Sequence, residues 1–120
     1  MTPYKGQVRC LEALLRAYAS HFEGLDITVS SVDGYQGREA DVVVFSAVRC
    51  NRAGAIGFVS DPRRLNVAIT RPRRGLVVVG SPSTLEQGSR DWRAYMGWAR
   101  SEELMLDVSR LPPPPWQPVP

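Results

Sequence analysis

Two short runs, Val42-Val43-Val44-Phe45 and Leu76-Val77-Val78-Val79, are apolar at every position rather than at alternate ones. A strand with one wet face alternates; one covered on both faces does not, so these runs predict strands inside a parallel sheet flanked by helices. The segment between them has room for a crossover. Asp61-Pro62 predicts a helix start, with a capping carboxylate and proline at the first helical position, and Leu65, Ala68 and Ile69 share one side of that helix. Upstream, Val8, Leu11, Leu15, Tyr18 and Phe22 recur at three- and four-residue steps, predicting an amphipathic helix over 5–19 that Gly24 ends. The β-branched run Ile27-Thr28-Val29 predicts a third strand. A final helix over about 90–105 has Trp92, Tyr95, Met96, Ala99 and Met105 as its inner face. Strands alternating with helices define an α/β class with a mainly parallel sheet. The 120 residues, 43% hydrophobic, suffice for one domain and one modest core. The opening at Met1-Thr2-Pro3 is abrupt where a preceding strand is expected, as in a lobe truncated at its N-terminus. Residues 107–120 form a proline-rich tail, expected to be flexible.

Several function classes drop out. No run of eighteen apolar residues is present, so no membrane partner is expected, and the first residues lack a secretory layout. Cys10 and Cys50 lie forty positions apart without CxxC spacing and with only His21 as a helper, so no metal site is expected. Idle thiols suit a reducing, intracellular compartment; nucleus and cytoplasm are not distinguished. The net charge of +3 is mild, but Lys5 is the only lysine. Between Arg38 and Arg74 there are eight arginines against three acids, Glu39, Asp41 and Asp61. Arginine's planar fork suits phosphate oxygens; a GC-rich genome that writes arginine in place of lysine would produce the same count.

In open parallel sheets ligands bind at the carboxyl ends of strands. Thr2 to Gln7 and Ser31 to Glu39 fall at such ends, and Asn66 to Arg74 lies close by; together they offer hydroxyls, amides, glycine backbone and guanidinium groups. A phosphate loop of the GxxxxGK[ST] kind is absent, because the only lysine is followed by Gly6. An arginine-rich lobe without its own phosphate loop can still stabilise a phosphoryl group held by a neighbour.

These segments carry a resemblance. VDGYQGREADVVVFSAVRCN, within residues 31–51, resembles motif V of superfamily 1 helicases; the segment over 63–74 and the strand after it resemble motif VI; TPYKGQ, residues 2–7, resembles motif IV. Their order and intervals are similar to the second RecA-like domain of superfamily 1B helicases, the nonsense-mediated-decay helicase and senataxin-like family. The likeness covers roughly residues 2–106, gives a domain over 1–106, and implies a RecA-like three-layer α/β/α lobe. It also implies an ATP-dependent motor on single-stranded RNA or DNA, in which a first RecA-like lobe, not present here, supplies the phosphate loop and holds ATP and Mg2+. By the resemblance Arg71 is the catalytic arginine finger, and Gln36, Gly37, Arg38 and Glu39 adjoin the nucleotide. Thr2, Tyr4, Ser31 and Asp33 fall on the nucleic-acid side. The isolated chain is expected to be inactive, and the alternative function is a non-catalytic single-strand-binding or scaffold module derived from a helicase. Bland readings stand beside these roles: Glu39 as a turn cap, Tyr4 and Tyr35 as half-buried core rings, and at least two of Arg63, Arg64, Arg73 and Arg74 as solvated or salt-bridged surface. Where the family usually has alanine this chain has Pro72, which biases Arg71 toward extended backbone.

Overall fold

The computed structural model describes residues 1–113; the proline-rich end from residue 114 onward lies outside the described residues. The elements are α1 (Lys5–Ala17), β1 (Ala40–Ser46), α2 (Pro62–Thr70), β2 (Pro72–Val79), α3 (Pro82–Gly88) and α4 (Arg90–Ser101). β1 and β2 pair in parallel, Val43 opposite Leu76 and Phe45 opposite Val78, with α2 as the crossover. The class is α/β with a parallel sheet.

The covered face is built from alternate strand residues. Val43 and Phe45 are buried, and Trp92 of α4 lies against Phe45 with ring centroids 5.8 Å apart. Trp92 Nε1 donates to the Val59 carbonyl at 2.8 Å, so its one polar atom is satisfied inside the core. Leu65 and Ala68 of α2, Leu85 of α3 and Met96 of α4 complete the cluster. α3 and α4 are further joined by the Arg100–Glu86 ion pair and by Arg93 Nε donating to the Glu86 carbonyl. Gly54 and Gly88 let the loop before α2 reach α3: a Cβ on Gly88 would sit 2.4 Å from the Gly54 oxygen.

Four expectations need correction. The apolar strand runs are not buried on both faces: Val42 and Val44 are 59% and 52% exposed, Val77 and Val79 about as much. A continuous apolar run shows that both faces tolerate cover; among the described residues only one face receives it. Ile27–Val29 forms no strand, and its neighbourhood contributes one parallel bridge, Thr2 to Ser31. β-branching favours a strand only where a neighbour supplies the ladder. α1 stops at Ala17 and buries no residue fully, so its stripe is only half covered. α4 ends at Ser101 rather than near 105: Glu103 takes φ 57°, and the N–H groups of Leu104 and Glu103 return to the carbonyls of Ala99 and Arg100, a left-handed cap that halts the helix. Met105 is therefore outside the helix and 37% exposed, and Ile69 on α2 is 42% exposed.

Candidate nucleotide-facing site and aromatic row

α2 carries the site at its two ends. Its start is made as the sequence implies: the Asp61 carboxylate accepts the Arg63 N–H at 2.9 Å and Pro62 occupies the first turn. At its far end Arg71 keeps helical backbone, φ −81° and ψ −31°, so Pro72 does not force it to extend. Two backbone bonds override the proline's bias: the Arg71 N–H reaches the Val67 carbonyl at 3.1 Å, and its own carbonyl accepts from Ala40 at 3.2 Å. Pro72 then opens β2, where its missing N–H costs least.

The Arg71 guanidinium lies against the Gln36–Glu39 turn. Nη1 donates to the Arg38 carbonyl at 3.4 Å and Nη2 to Thr70 Oγ1 at 3.2 Å. Nε is buried without an acceptor among the described residues. The turn itself is type II: the Arg38 N–H closes onto the Tyr35 carbonyl, Gln36 has φ −60° and ψ 136°, and Gly37 takes φ 74°. A side chain at 37 would strain that turn. Tyr35 is buried; its hydroxyl donates to the Glu39 carbonyl at 3.1 Å and its ring lies under Arg38 at 4.7 Å. Gln36, Arg38 and Glu39 are exposed. Of Gln36 to Glu39, Arg38 is the residue joined to Arg71, through its carbonyl.

The other arginines of the segment are held by carboxylates. Arg63 pairs with Asp61, Arg64 with Asp33 and Asp61, and Arg73 and Arg74 with Asp41. Among the described residues Arg71 has no carboxylate partner. The donors here are its own guanidinium N–H groups, which suit an anionic phosphate oxygen, and no cluster of acids, histidines or cysteines that could hold a metal ion gathers among the described residues.

At the start of α2 the residues expected on the nucleic-acid side are differently placed. Asp33 takes two hydrogen bonds from Arg64, at 3.1 and 3.0 Å, and this guanidinium holds its carboxyl below the ordinary 3.8. Ser31 Oγ accepts the Gly34 N–H at 3.1 Å, capping the Asp33–Tyr35 turn. Thr2 is fully buried, its backbone paired with Ser30 and Val32. Tyr4 is half-buried; its hydroxyl donates to the Ile56 carbonyl at 3.2 Å and accepts from Arg49 Nε at 2.8 Å. Beside it lies Phe58, 60% exposed, with Arg64 5.0 Å over its ring and the Tyr4 centroid 6.2 Å away. The result is a row, Arg49–Tyr4–Phe58–Arg64–Asp33, in which two adjoining rings are flanked by arginines and Asp33 holds the second arginine. Arg49, Phe58 and Arg64 had no periodic signal; only an aromatic amid small residues, followed by an arginine pair, could have pointed to them. Asn51 was also unread. Its side chain both donates to and accepts from Ala55, and its backbone exchanges hydrogen bonds with the buried Thr84 hydroxyl, shaping the loop that presents Phe58.

Comparison with known proteins decides the family. An AAA domain family matches residues 1–83. The chain belongs to that family. Over 108 residues it is 36% identical to DNA polymerase alpha-associated DNA helicase A of Schizosaccharomyces pombe, covering 90% of this chain and 16% of that protein. Against the regulator of nonsense transcripts 1 homolog of Drosophila melanogaster it is 37% identical over 111 residues, 91% of this chain and 9% of the relative. The ATP-dependent helicase NAM7 of Saccharomyces cerevisiae is 43% identical over 95 residues, 74% of this chain and 9% of the relative. The chain therefore spans well under a fifth of the length of these relatives, and it is a helicase-type domain of the superfamily 1B, nonsense-mediated-decay group. No helix among the described residues is long and apolar enough to cross a membrane.

Proposed function

We propose that this chain acts as the second ATPase lobe of an ATP-dependent helicase, lending an arginine finger to a nucleotide held by a first lobe. The observation that carries the reading is the isolation of Arg71. Of the five arginines between residues 63 and 74, it alone lacks a carboxylate among the described residues, and it adjoins the Gln36–Glu39 turn. In the closed two-lobe protein Arg71 would donate its terminal N–H groups to γ-phosphate oxygens, stabilising charge that builds as the phosphoryl group leaves. Glu39 and the Gly37 turn would border the ribose. ATP supplies the driving reaction, and Mg2+ belongs with the first lobe's carboxylates.

Positioning follows from α2. Arg64 and Arg71 are seven residues apart, about 10 Å along the helix. The Asp33–Glu39 segment is tied to α2 at both places, by Asp33 to Arg64 and by the Arg38 carbonyl to Arg71. A single-stranded RNA or DNA resting on Tyr4 and Phe58 would thus bear on the same segment as the nucleotide. In the two-lobe protein Arg71→Ala should lower ATP turnover by about 10³–10⁵, the range for fingers of this type. Near-normal turnover would reject the role.

A second reading, a single-strand-binding module without catalysis, is favoured by the exposed Phe58 set between Tyr4 and Arg64. It predicts that the chain alone binds single strands with an affinity that falls steeply as salt rises.

A further inference from the structure

Phe58 is 60% exposed, yet Ile56 two residues before it and Val59 directly after it are each only 2% exposed. An apolar ring left in water between two buried neighbours needs a loop that cannot roll it inward. The downstream side is fixed by short bonds. The Val59 carbonyl accepts from Trp92 Nε1 inside the core at 2.8 Å, the Val59 N–H returns to the Ile56 carbonyl at 3.1 Å, and Ser60 Oγ donates to the Gly57 carbonyl at 2.7 Å. Trp92 belongs to α4, so this half of the loop takes its position from that helix.

The upstream side takes its position from α3. Asn51 closes residues 51–55 into one turn: its side-chain amide donates to the Ala55 carbonyl and its amide oxygen accepts from the Ala55 N–H, both at 2.9 Å. That closed turn hangs on a single buried hydroxyl. Thr84 is 1% exposed, and its Oγ1 accepts the Asn51 N–H at 3.0 Å while donating to the Asn51 carbonyl at 2.9 Å. Glycine completes the seat. Gly54 has φ 65°, a Cβ there would stand 2.5 Å from that of Gln87, and a Cβ on Gly88 would stand 2.7 Å from Ile56 Cγ2. Ile56 therefore rests on the backbone of the last residue of α3, two residues from the exposed ring. None of these groups is among the contacts of Arg71.

We propose that Asn51 and Thr84 are positioning residues for single-strand binding, holding Phe58 as a preformed platform on which a base stacks. The inference rests on the reading that a strand lies across Tyr4 and Phe58. A ring already fixed in its bound place loses little freedom when a base covers it; a loosened one has to be ordered at that moment. Neither residue touches the strand, and both act through the ring. Thr84→Val keeps the shape of the side chain and removes the hydroxyl that serves both backbone groups of Asn51. Asn51→Ala opens the closed turn and leaves the Thr84 bonds in place. Each should weaken strand binding by the ordering cost alone, about 3- to 10-fold, and leave the phosphoryl chemistry at Arg71 untouched.

The test uses the two-lobe protein, with ATP turnover measured against the concentration of an oligouridine strand and, in parallel, an oligothymidine strand. Both variants should raise the half-saturating strand concentration by that factor while turnover at saturation stays within about twofold. Thr84→Ser, which keeps the hydroxyl, should match the parent. In a Phe58→Ala background Thr84→Val should add less than about twofold, because the ring it positions is gone. An unchanged half-saturation in both variants overturns the proposal. So does a full further loss on top of Phe58→Ala, or a fall in saturated turnover alone. If Phe58→Ala itself leaves half-saturation unchanged, the stacking reading fails and the positioning role goes with it. If Phe58→Ala weakens strand binding and the Asn51 and Thr84 variants do not, only the positioning role fails.

Discussion

The two ends of α2 carry the same side-chain chemistry and use it in opposite ways. At the start, Arg64 is fixed: a two-bond contact to Asp33, a second pairing with Asp61, and a ring beneath it. At the end, Arg71 touches only a carbonyl and a hydroxyl, and its Nε has no acceptor. An arginine whose charge is neutralised within its own lobe shapes that lobe. One whose charge is left over is available to something outside it. The neighbours Arg73 and Arg74 sharpen the contrast, since both are drawn to Asp41 across the sheet although they lie within three residues of Arg71.

The largest expected difference between the two ends is catalytic. In the two-lobe protein Arg71→Ala should cost about 10³ or more in ATP turnover, and Arg64→Ala less than about tenfold. Comparable losses would erase the distinction. Next comes nucleic-acid affinity: Phe58→Ala should weaken single-strand binding by about 5- to 100-fold, the range for one lost stacking contact, whereas Arg71→Ala should leave it nearly unchanged. Fluorescence anisotropy with a short labelled strand separates these outcomes. A smaller effect concerns acid. The Arg64 contact lowers the Asp33 carboxyl, so its stabilisation is full above 3.8 and is lost as pH falls through the depressed value. Urea unfolding should show Asp33→Asn less stable than the parent at neutral pH, with the gap closing at the acid end. The smallest is Pro72→Ala: Arg71 is already helical, so turnover should stay within about threefold. A large gain would mean that the proline does misdirect the finger.

Much of this was legible in the residues, and the failures share a cause. Asp61-Pro62 announces α2 because a cap and a fixed φ act within a few residues. The Gln36–Glu39 turn is readable because Gly37 supplies the positive φ that a type II turn demands. Composition around 63–74 shows that arginines crowd there, but which carboxylate takes which one is a long-range matter: Asp33 is 31 residues from Arg64 in the chain. For the same reason the Asn51–Thr84 clasp and the Trp92–Val59 bond left no local trace. The valine runs of β1 and β2 disclose what could be buried, and cover for their second face comes from elsewhere or not at all. Pro72 misleads in the opposite sense, because a local bias yields to two backbone bonds that the sequence does not display.

The most direct test of the central claim separates nucleotide binding from hydrolysis in the two-lobe protein carrying Arg71→Ala. A finger that acts on the phosphoryl group as it leaves should be missed far more in the reaction than in the bound complex. ATP affinity should stay within about tenfold of the parent while the single-turnover hydrolysis rate falls by about 10³ or more. A hydrolysis rate close to the parent's would contradict the account.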